Sequence, residues 1–357
     1  MSILLVYFTY FLLLISLINH IWIRIPKNST PLSHSVAVIV PMRNEADNVA
    51  PLIESLQGQI GVSNYHVVIV NDASTDATDE LASRYIDGDT RFSLITTAGP
   101  EEGWLGKVSA LQEGLSVTTA DVVITIDADV RLEPKAIARA VNQLSDLNLD
   151  FISPYPRQIA NTFAERMVQP LLHWSWMTTV ILRLAEKFPM RSTAVANGQF
   201  FVVKRSALGV IDGFSTVRTS ILDDIDLARS LISAGFRGVV TQGSSISHTR
   251  MYSSFSEIRQ GYGKSLSYAF GGKVGAALAI AFIAATGIAP LALALTGDTN
   301  GWIALFFIFI TRFISALRSR ANISTALLHP VSSAILIYLI IYSFRYRGRI
   351  QWKGRTL

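Results

Sequence analysis

A long stretch near the carboxyl terminus is almost free of charge, and it constrains the fold more than any other feature. Between Val274 and Phe344 the only Asp, Glu, Lys or Arg residues are Asp298, Arg312, Arg318 and Arg320. Only 16% of the 357 residues are charged and half are hydrophobic, whereas soluble globular chains carry about 25% charged residues. This composition excludes a disordered chain, and the absence of cysteine excludes a disulfide scaffold and a thiolate nucleophile. The sequence therefore predicts a membrane protein with a polar domain attached.

The amino terminus contains the first candidate span. Ile3 to Ile23 is almost unbroken apolar sequence, and about 20 residues suffice to cross a bilayer. Arg24 and Lys27 come directly after it, without a small-residue cleavage site. We therefore expect an uncleaved anchor over residues 1–23 and a linker over 24–35. We also expect the polar domain to be cytoplasmic, because positive charges favour that side of the membrane.

Three more apolar stretches form a carboxy-terminal membrane region over residues 266–344: Val274–Leu295, Trp302–Leu317 and Leu327–Phe344. The middle stretch is short and contains Arg312, which favours a re-entrant segment. If all three crossed, the basic tail (residues 345–357) would lie outside, against the positive-inside rule. We expect two to three spans here, and we favour one stretch that does not cross and a cytoplasmic tail. The tail indicates a membrane-surface anchor and no nucleic-acid partner.

The polar domain, residues 36–265, alternates between two kinds of segment. Short β-branched runs (Val36–Val40, Val67–Val70, Val122–Ile126) indicate buried parallel strands. Helical patterns lie between and after them, at Glu45–Gln57, Thr75–Tyr85, Lys107–Val117 and Pro134–Leu144. This alternation predicts a doubly wound α/β sheet, whose ligands bind at the carboxyl ends of the strands. The aromatic-rich segment 163–184 is either an interfacial amphipathic helix or a buried core helix.

Polar residues cluster at the predicted strand ends. Asp127 and Asp129 close one strand, and two carboxylates at such a position can hold a hard divalent cation that bridges nucleotide phosphates. A solvated turn is the alternative. Asp72 ends another strand, where a carboxylate can accept a hydrogen bond from a nucleobase. The segment Pro41 to Glu45 ends the first strand and is also typical of a helix start.

Two helix starts carry charged residues that suit group transfer. Lys107 follows a glycine-containing loop at a helix amino terminus, which suits a diphosphate. Asp223 and Asp224 begin another helix, where they either compensate the helix dipole or supply a general base towards an acceptor hydroxyl.

In their order along the chain, these motifs resemble glycosyltransferase family 2. The matching segments are Pro41-x-Arg-Asn-Glu45, Asp72-x-Ser-Thr-Asp76, Gly106-Lys107-x-x-Ala-Leu, Asp127-Ala-Asp129, Gly198-Gln-Phe with Lys204-Arg205, Gly213-Phe214 and Asp223-Asp224-x-Asp-Leu. The resemblance implies a GT-A fold and inverting sugar transfer from a nucleotide-sugar with Mg²⁺ or Mn²⁺. It places Asp72 on the uracil.

The same resemblance assigns the remaining site residues. Pro41 and Glu45 line the nucleotide pocket, and Lys107 approaches the diphosphate. Asp127 and Asp129 serve the ribose and the metal, with Asp129 as the direct ligand. Asp224 matches the catalytic base, with Asp223 in the acidic position before it. Gly198 and Gln199 face the acceptor.

A closer resemblance extends outside this domain, to membrane glycosyltransferases of carotenoid-acid (diaponeurosporenoate-type) biosynthesis and of hopanoid gene clusters. It rests on Trp104-Leu-Gly-Lys107, Arg250-Met-Tyr252, Gly261-Tyr-Gly-Lys264, His329-Pro330 and Trp352-Lys-Gly-Arg355. It implies UDP-glucose as donor, a carotenoid or other lipid as acceptor, and Arg250 as a diphosphate contact. A polyprenyl-phosphate sugar transferase and a non-catalytic nucleotide-binding scaffold remain alternatives. The intact acidic pair favours a hydroxyl acceptor.

Overall fold

The computed structural model describes residues 2–348, 351–352 and 355–356, and the chain divides into two units. The sheet unit comprises Arg24–Arg157 and Leu184–Thr249, and the helical unit comprises Met1–Ile23, Gln158–Arg183 and Arg250–Leu357. Residues 36–265, which the sequence pattern presents as one continuous domain, are thus divided between the units. Residues 158–183 and 250–265 belong to the helical unit because their apolar faces pack among its helices.

The strands follow the alternation expected from the sequence. They are β1 (Val36–Met42), β2 (Tyr65–Asp72), β3 (Phe92–Thr97), β4 (Val122–Ile126), β5 (Val130–Leu132), β6 (Phe151–Tyr155), β7 (Arg157–Gln158), β8 (Phe200–Lys204), β9 (Gly238–Gln242), β10 (Ser247–Thr249), β11 (Gln351–Trp352) and β12 (Arg355–Thr356). The main sheet has the order β3-β2-β1-β4-β8-β6-β9. Strand β1 pairs in parallel with β2 and β4, and β8 runs antiparallel between β4 and β6.

Helices occupy both faces of this sheet and build the helical unit. They are α1 (Ser2–Trp22), α2 (Ala46–Gln57), α3 (Thr78–Ile86), α4 (Gly106–Ser116), α5 (Ala136–Asp146), α6 (Phe163–Thr179), α7 (Leu182–Lys187), α8 (Arg205–Val210), α9 (Asp223–Ser233), α10 (Phe255–Ala269), α11 (Lys273–Ile283), α12 (Ala289–Leu295), α13 (Thr299–Ser319) and α14 (His329–Arg345). A π-helical turn joins α11 to α12, and a 3₁₀ helix, Ile323–Leu328, precedes α14.

Alternate residues of the central strands enter two separate cores. Val38 and Ile124 pack with α2 and α5 on one face, while Ile39 and Val68 pack with α4 and α9 on the other. This division follows from the two-residue period of a strand. Helix α4 lies very close to the sheet, because a Cβ on Gly114 would come within 2.4 Å of Ile39 Cγ2. The layers hold the amino-terminal end of α4 at the carboxyl edge of the strands.

Helix α13 is longer than the sequence pattern indicated. It runs without a break for 21 residues, Thr299–Ser319, and is long and apolar enough to cross a membrane. The stretch is therefore not as short as the sequence pattern had indicated, and its length and composition suit a helix that crosses. The pattern ended early because polar residues at both ends of the helix, Asp298 as its cap and Arg318 in its last turn, interrupt the apolar run.

Within the helical unit, α1 and α13 lie side by side and run in the same direction. Asn300 Nδ2 donates to Ser2 Oγ (3.2 Å) near the start of both helices, and Arg318 Nε donates to His20 Nδ1 (3.1 Å) near their ends. Since only three residues separate α12 from α13, the pair forms an antiparallel hairpin. Helix α13 therefore ends at the end of the unit where α11 begins.

Helix α14 runs in the direction opposite to α11 and α12. Near its start, Ser333 lies against Gly287, in the middle of the α11–α12 helix. At its other end, Ser343 accepts from Ser267 N (2.8 Å) and Arg347 stacks on Tyr268 (4.3 Å), just before α11 begins. The last apolar stretch therefore begins beside the middle of its neighbour and returns to the end where α11 starts. Arg345, the last residue of α14, and Arg347 lie there, whereas Arg349 and Lys353 of the predicted tail lie outside the described residues.

Helix α6 is packed among the other helices of its unit. Met167, Leu171, Trp174 and Met177 are buried, and Trp174 Nε1 donates to Thr311 Oγ1 (2.8 Å). The helix begins with a capping box in which Thr162 and Glu165 satisfy each other's backbone N–H groups. This arrangement matches the core helix, one of the two alternatives left open by the sequence for residues 163–184, and the helix ends at Thr179.

Candidate active site

The parallel strands place three of the predicted site residues at one edge of the sheet. Pro41 lies in β1 opposite Val70 of β2, Asp72 is the last residue of β2, and Asp127 follows β4 directly. Asp72 is 4% exposed, whereas Asp127 is half-buried. The carboxylates therefore lie where an α/β sheet binds its ligands.

Arg43 fixes the loop that carries Asp72. Its Nη1 donates to the backbone oxygens of Asp72 and Ala73, both at 2.7 Å, and so joins the loop after β1 to the loop after β2. Asn44 and Ala73 adopt left-handed backbone conformations (φ of 51° and 46°), which are uncommon outside glycine. Sequence reasoning assigned Arg43 no role beyond the motif, although its place between two site residues indicated one.

Glu45 occupies the start of α2 beside the same loops. Its backbone N–H donates to Thr78 Oγ1 (2.8 Å), and its Oε2 accepts from Asn48 Nδ2 (2.8 Å). Because Thr78 is the first residue of α3, this contact links the starts of two helices. Pro41, Glu45 and Asp72 are thus held by neighbouring strand and loop ends, and their place in a nucleotide pocket stays a prediction.

Lys107 lies among carboxylates in the first turn of α4. Its Nζ is 2.8 Å from Asp127 Oδ1 and 3.5 Å from Asp223 Oδ2. Burial alone would lower the pKa of Lys107, but the negative charges of Asp127 and Asp223 outweigh it and hold that pKa above its usual value. The ammonium is therefore charged at neutral pH, at the helix end that favours anions.

Asp224 is bonded to the predicted acceptor loop. Gly198 N donates to Asp224 Oδ2 (2.6 Å), and Ile225 N donates to Oδ1 (2.8 Å). A Cβ on Gly198 would lie 3.3 Å from Asp224 Cβ and 3.1 Å from Lys107 Nζ, so a side chain here would crowd both groups. Burial and the charge of Asp223 raise the pKa of Asp224 to about 6, against the opposing effects of Lys107 and the two N–H groups. A carboxylate with this pKa suits general-base catalysis near neutral pH.

Gln199 connects the acceptor loop to the aspartates after β4. Its backbone oxygen accepts from Asp127 N (3.3 Å), and its own N–H donates to Asn197 Oδ1 (2.8 Å). Asn197 Nδ2 in turn donates to Gln199 Oε1 (3.1 Å), and both side chains are buried. Asn197 therefore positions Gln199, a role that the sequence analysis missed because nothing in the local pattern indicates the contact.

Asp129 supplies the second carboxylate of its motif. Burial, and then the neighbouring charges of Asp127 and Glu45, raise its pKa to about 6. In the described part of the chain, no group of three or more Asp, Glu or His side chains is placed to hold a metal ion. Asp127 and Asp129 are nevertheless hard oxygen donors of the kind that Mg²⁺ and Mn²⁺ accept, with further ligands from phosphates and water. The residues fit a cation that a bound diphosphate completes.

Arg250 belongs to the helical unit. Its Nη2 lies 3.0 Å from Oε1 of Glu165, which is fully buried, and its Nε donates to the same oxygen at 3.2 Å. The structure thus brings together Lys107, Asp127, Asp223, Asp224 and the Gly198–Gln199 loop in the sheet unit. The diphosphate contact of Arg250 stays a prediction.

Comparison with known proteins adds the family context. Residues 37–211 match the family model described as Glycosyl transferase family 2. A dodecaprenyl-phosphate galacturonate synthase of Rhizobium johnstonii is 30% identical over 35% of this chain and 37% of its own length. A 4,4'-diaponeurosporenoate glycosyltransferase of Staphylococcus haemolyticus is 30% identical over 33% of this chain and 30% of its own length. The chain thus spans less than half the length of these curated relatives.

A solved structure resembles the whole chain. The mannosyltransferase PcManGT from Pyrobaculum calidifontis, in complex with GDP-Man and Mn²⁺, is 18% identical, with a TM-score of 0.56 over 99% of both chains. At this identity the likeness concerns the fold. The predicted GT-A α/β domain with accompanying apolar helices is confirmed.

Proposed function

Because the chain carries a family 2 glycosyltransferase domain at residues 37–211, we propose that it transfers a sugar from a nucleotide-sugar to a lipid in the membrane. The observation that carries this proposal is the contact of Asp224 with the Gly198 N–H beside the Lys107–Asp127 pair. It supports a single site that contains a basic carboxylate, a cation and the aspartate motif. The curated relatives are named for sugar transfer to polyprenyl phosphates and to a carotenoid acid.

The donor binds across the carboxyl ends of the strands. Asp72 accepts from the nucleobase, and Pro41 and Glu45 line the nucleotide pocket. Lys107 contacts the diphosphate. Asp127 is then available to bind the ribose and the cation. We favour UDP-glucose, as the resemblance to carotenoid-acid glycosyltransferases implies.

The aspartate motif would hold Mg²⁺ or Mn²⁺, with Asp129 as the direct ligand. The bound cation would neutralise charge on the leaving diphosphate. Lys107 contributes in the same sense, because its ammonium is charged and lies beside Asp127 and Asp223.

The acceptor oxygen attacks the anomeric carbon from the face opposite the diphosphate, which inverts the configuration. Asp224 takes the proton of a hydroxyl acceptor, and its pKa of about 6 leaves it mostly ionised at pH 7. Burial and the charge of Asp223 raise the pKa of Asp224, whereas Lys107 and the N–H groups of Ile225 and Gly198 lower it. The Gly198–Gln199 loop lines the acceptor side.

A polyprenyl-phosphate or other anionic acceptor is the second candidate, and one observation favours it. The helical unit contains fourteen Lys and Arg residues but three carboxylates, namely Glu165, Glu257 and Asp298. A membrane region of this charge attracts anionic lipids. An ionised acceptor also needs little help from a base. The non-catalytic scaffold is disfavoured, because the Asp127–Asp129 motif and the Asp223–Asp224 pair are both present.

We further propose a multi-pass protein with a cytoplasmic catalytic domain. One end of the helical unit contains the last turns of α1, α13 and α14 and the first turn of α11. Lys273, Arg318, Arg320, Arg345 and Arg347 lie at that end. The loop between α12 and α13 contains Asp298 and no basic residue. The positive-inside rule therefore assigns the basic end to the cytoplasm, with crossings by α1, α11–α12 and α13.

The test is UDP or GDP release from the purified protein in detergent. It uses a panel of nucleotide-sugars, Mg²⁺ or Mn²⁺ and host lipid extract, with mass spectrometry of the lipids. We expect one sugar to give a metal-dependent signal and one lipid to gain one hexose. Asp224→Asn should abolish transfer to a hydroxyl lipid, while Asp226→Asn, in the same turn but bonded to Ser220 and Arg229, should retain it. Full activity of Asp224→Asn on such a lipid would refute the proposed base.

A further inference from the structure

Arg312 is a buried cation without a counter-ion. Arg312 lies in α13 and is 3% exposed, and its Nε has no hydrogen-bond partner. Among the described residues, the guanidinium makes neither an ion pair nor a hydrogen bond, and its contact is with the Trp174 ring, 6.0 Å from the centroid. Buried charges are normally paired, because removal from water is costly. The arrangement indicates a missing anion.

The carboxylates of the helical unit have other partners. Glu165 binds Arg250, Glu257 binds Ser253, and Asp298 caps α13 through Asn300 N. None of the three is bonded to Arg312 in the described residues. The described part of the unit therefore offers the guanidinium no internal anion, and the partner has to come from outside it.

A second buried group beside Arg312 also has an unused polar atom. The His329 ring lies 4.6 Å from the Trp174 ring, is fully buried, and has no hydrogen bond at Nδ1. Its Nε2 lies 3.3 Å from Ser333 Oγ. Trp174 is itself fixed by its bond to Thr311, the residue before Arg312. Arg312 and His329 thus both contact the indole ring of Trp174, and each has a side-chain nitrogen without a hydrogen-bond partner.

The surroundings favour a lipid as the source of the anion. Phe306, Phe313 and Leu317 of α13 are exposed apolar side chains, as expected for a helix that faces acyl chains. Arg312 lies seven residues before the end of α13 at Ser319, which is about 10 Å along the axis. Arg312 is itself 3% exposed and lies about 100° around the helix from Phe313, so a lipid head group has to enter between the helices to reach its guanidinium.

We propose that Arg312, with His329, binds the anionic head group of a membrane lipid through phosphate or carboxylate oxygens. Arginine suits such oxygens because its guanidinium offers two parallel N–H donors. The site is distinct from the nucleotide site of the sheet unit. It does not depend on sugar transfer, because it is defined by binding alone.

The experiment measures the unfolding temperature of the full chain in detergent. Phosphatidylglycerol, oleate, phosphatidylcholine and inorganic phosphate are added in turn. A ligand that binds only the folded state stabilises it by mass action, so we expect the two anionic lipids to raise Tm by about 5 °C at saturation. Phosphatidylcholine and inorganic phosphate should leave Tm unchanged. An equal shift with inorganic phosphate would overturn the lipid assignment.

The variants assign the shift to the site. Arg312→Gln should lose it, and Arg312→Lys, which keeps the charge but not the paired donors, should keep less than half. Arg320→Gln is the matched control, because Arg320 is exposed just after the same helix. If Arg312→Gln does not fold, the comparison rests on Arg312→Lys. An undiminished shift in either Arg312 variant, or no shift in the wild type, would overturn the proposal.

Discussion

Gly198 donates its backbone N–H to Asp224 Oδ2 at 2.6 Å, so the acceptor loop and the proposed base are one structural unit. A side chain at residue 198 would crowd this contact, because a Cβ there would lie 3.3 Å from Asp224 Cβ. It makes the orientation of the carboxylate depend on the backbone of a loop that also binds Asp127 through Gln199.

Gly198→Ala should therefore impair transfer more than donor binding. The added Cβ would lie 3.3 Å from Asp224 Cβ and 3.1 Å from Lys107 Nζ, so one of them has to shift. We expect kcat to fall roughly 10- to 100-fold, about 1.4 to 2.7 kcal/mol of transition-state stabilisation, with nucleotide affinity changed less than threefold. Gly209→Ala is the control, because its Cβ would meet no atom within 4 Å. Equal losses in both variants would contradict the argument.

The pH profile should reveal the neighbour of the base. Because the pKa of Asp224 is about 6, kcat/KM on a hydroxyl acceptor should rise with pH below 6 and level off above it, as the base ionises. Asp223→Asn removes a negative charge that disfavours ionisation, so it should move this rise to lower pH. Asp226→Asn should leave it in place. A rise that moves upward in Asp223→Asn would be inconsistent with the proposed electrostatics.

Arg43 should act on the donor through the loop of Asp72. Lysine is one bond shorter and lacks the planar guanidinium, so its ammonium is not held where Arg43 Nη1 donates to the oxygens of Asp72 and Ala73. We expect Arg43→Lys to weaken UDP binding about 10-fold, or about 1.4 kcal/mol, measured by calorimetry, with a smaller effect on kcat. Arg84→Lys, in an exposed pair with Glu80, should bind UDP like the wild type. Unchanged affinity in Arg43→Lys would exclude the positioning role.

The sequence predicted the features that depend on local pattern. The strands β1, β2 and β4 and the carboxylates at their ends follow from β-branched runs that stop at polar residues. The start of α3 did not follow from the local pattern, which put it at Thr75. The backbone N–H of Thr75 donates to Asn44 Oδ1 instead, and the helix begins at Thr78. Asn44 is 31 positions away, and no periodicity reports such a contact.

The same distinction explains the membrane region. Hydropathy located the apolar helices, because it measures how strongly each segment favours an apolar environment. It did not reveal that α14 returns beside α11, which depends on contacts such as Ser333 against Gly287. Hydropathy also indicated no partner for Arg250, whose carboxylate, Glu165, lies 85 positions earlier.

The topology can be tested with single introduced cysteines, because the chain contains no cysteine that would first have to be replaced. Thr296 lies exposed after α12, and Tyr346 lies exposed after α14. If α14 returns to the end where α11 begins, a membrane-impermeant maleimide should label Thr296→Cys in intact cells and Tyr346→Cys only after permeabilisation. Labelling of both in intact cells would show that α14 crosses and would place the basic end of the chain outside. Because each variant is labelled after permeabilisation in either case, that step controls for a buried thiol.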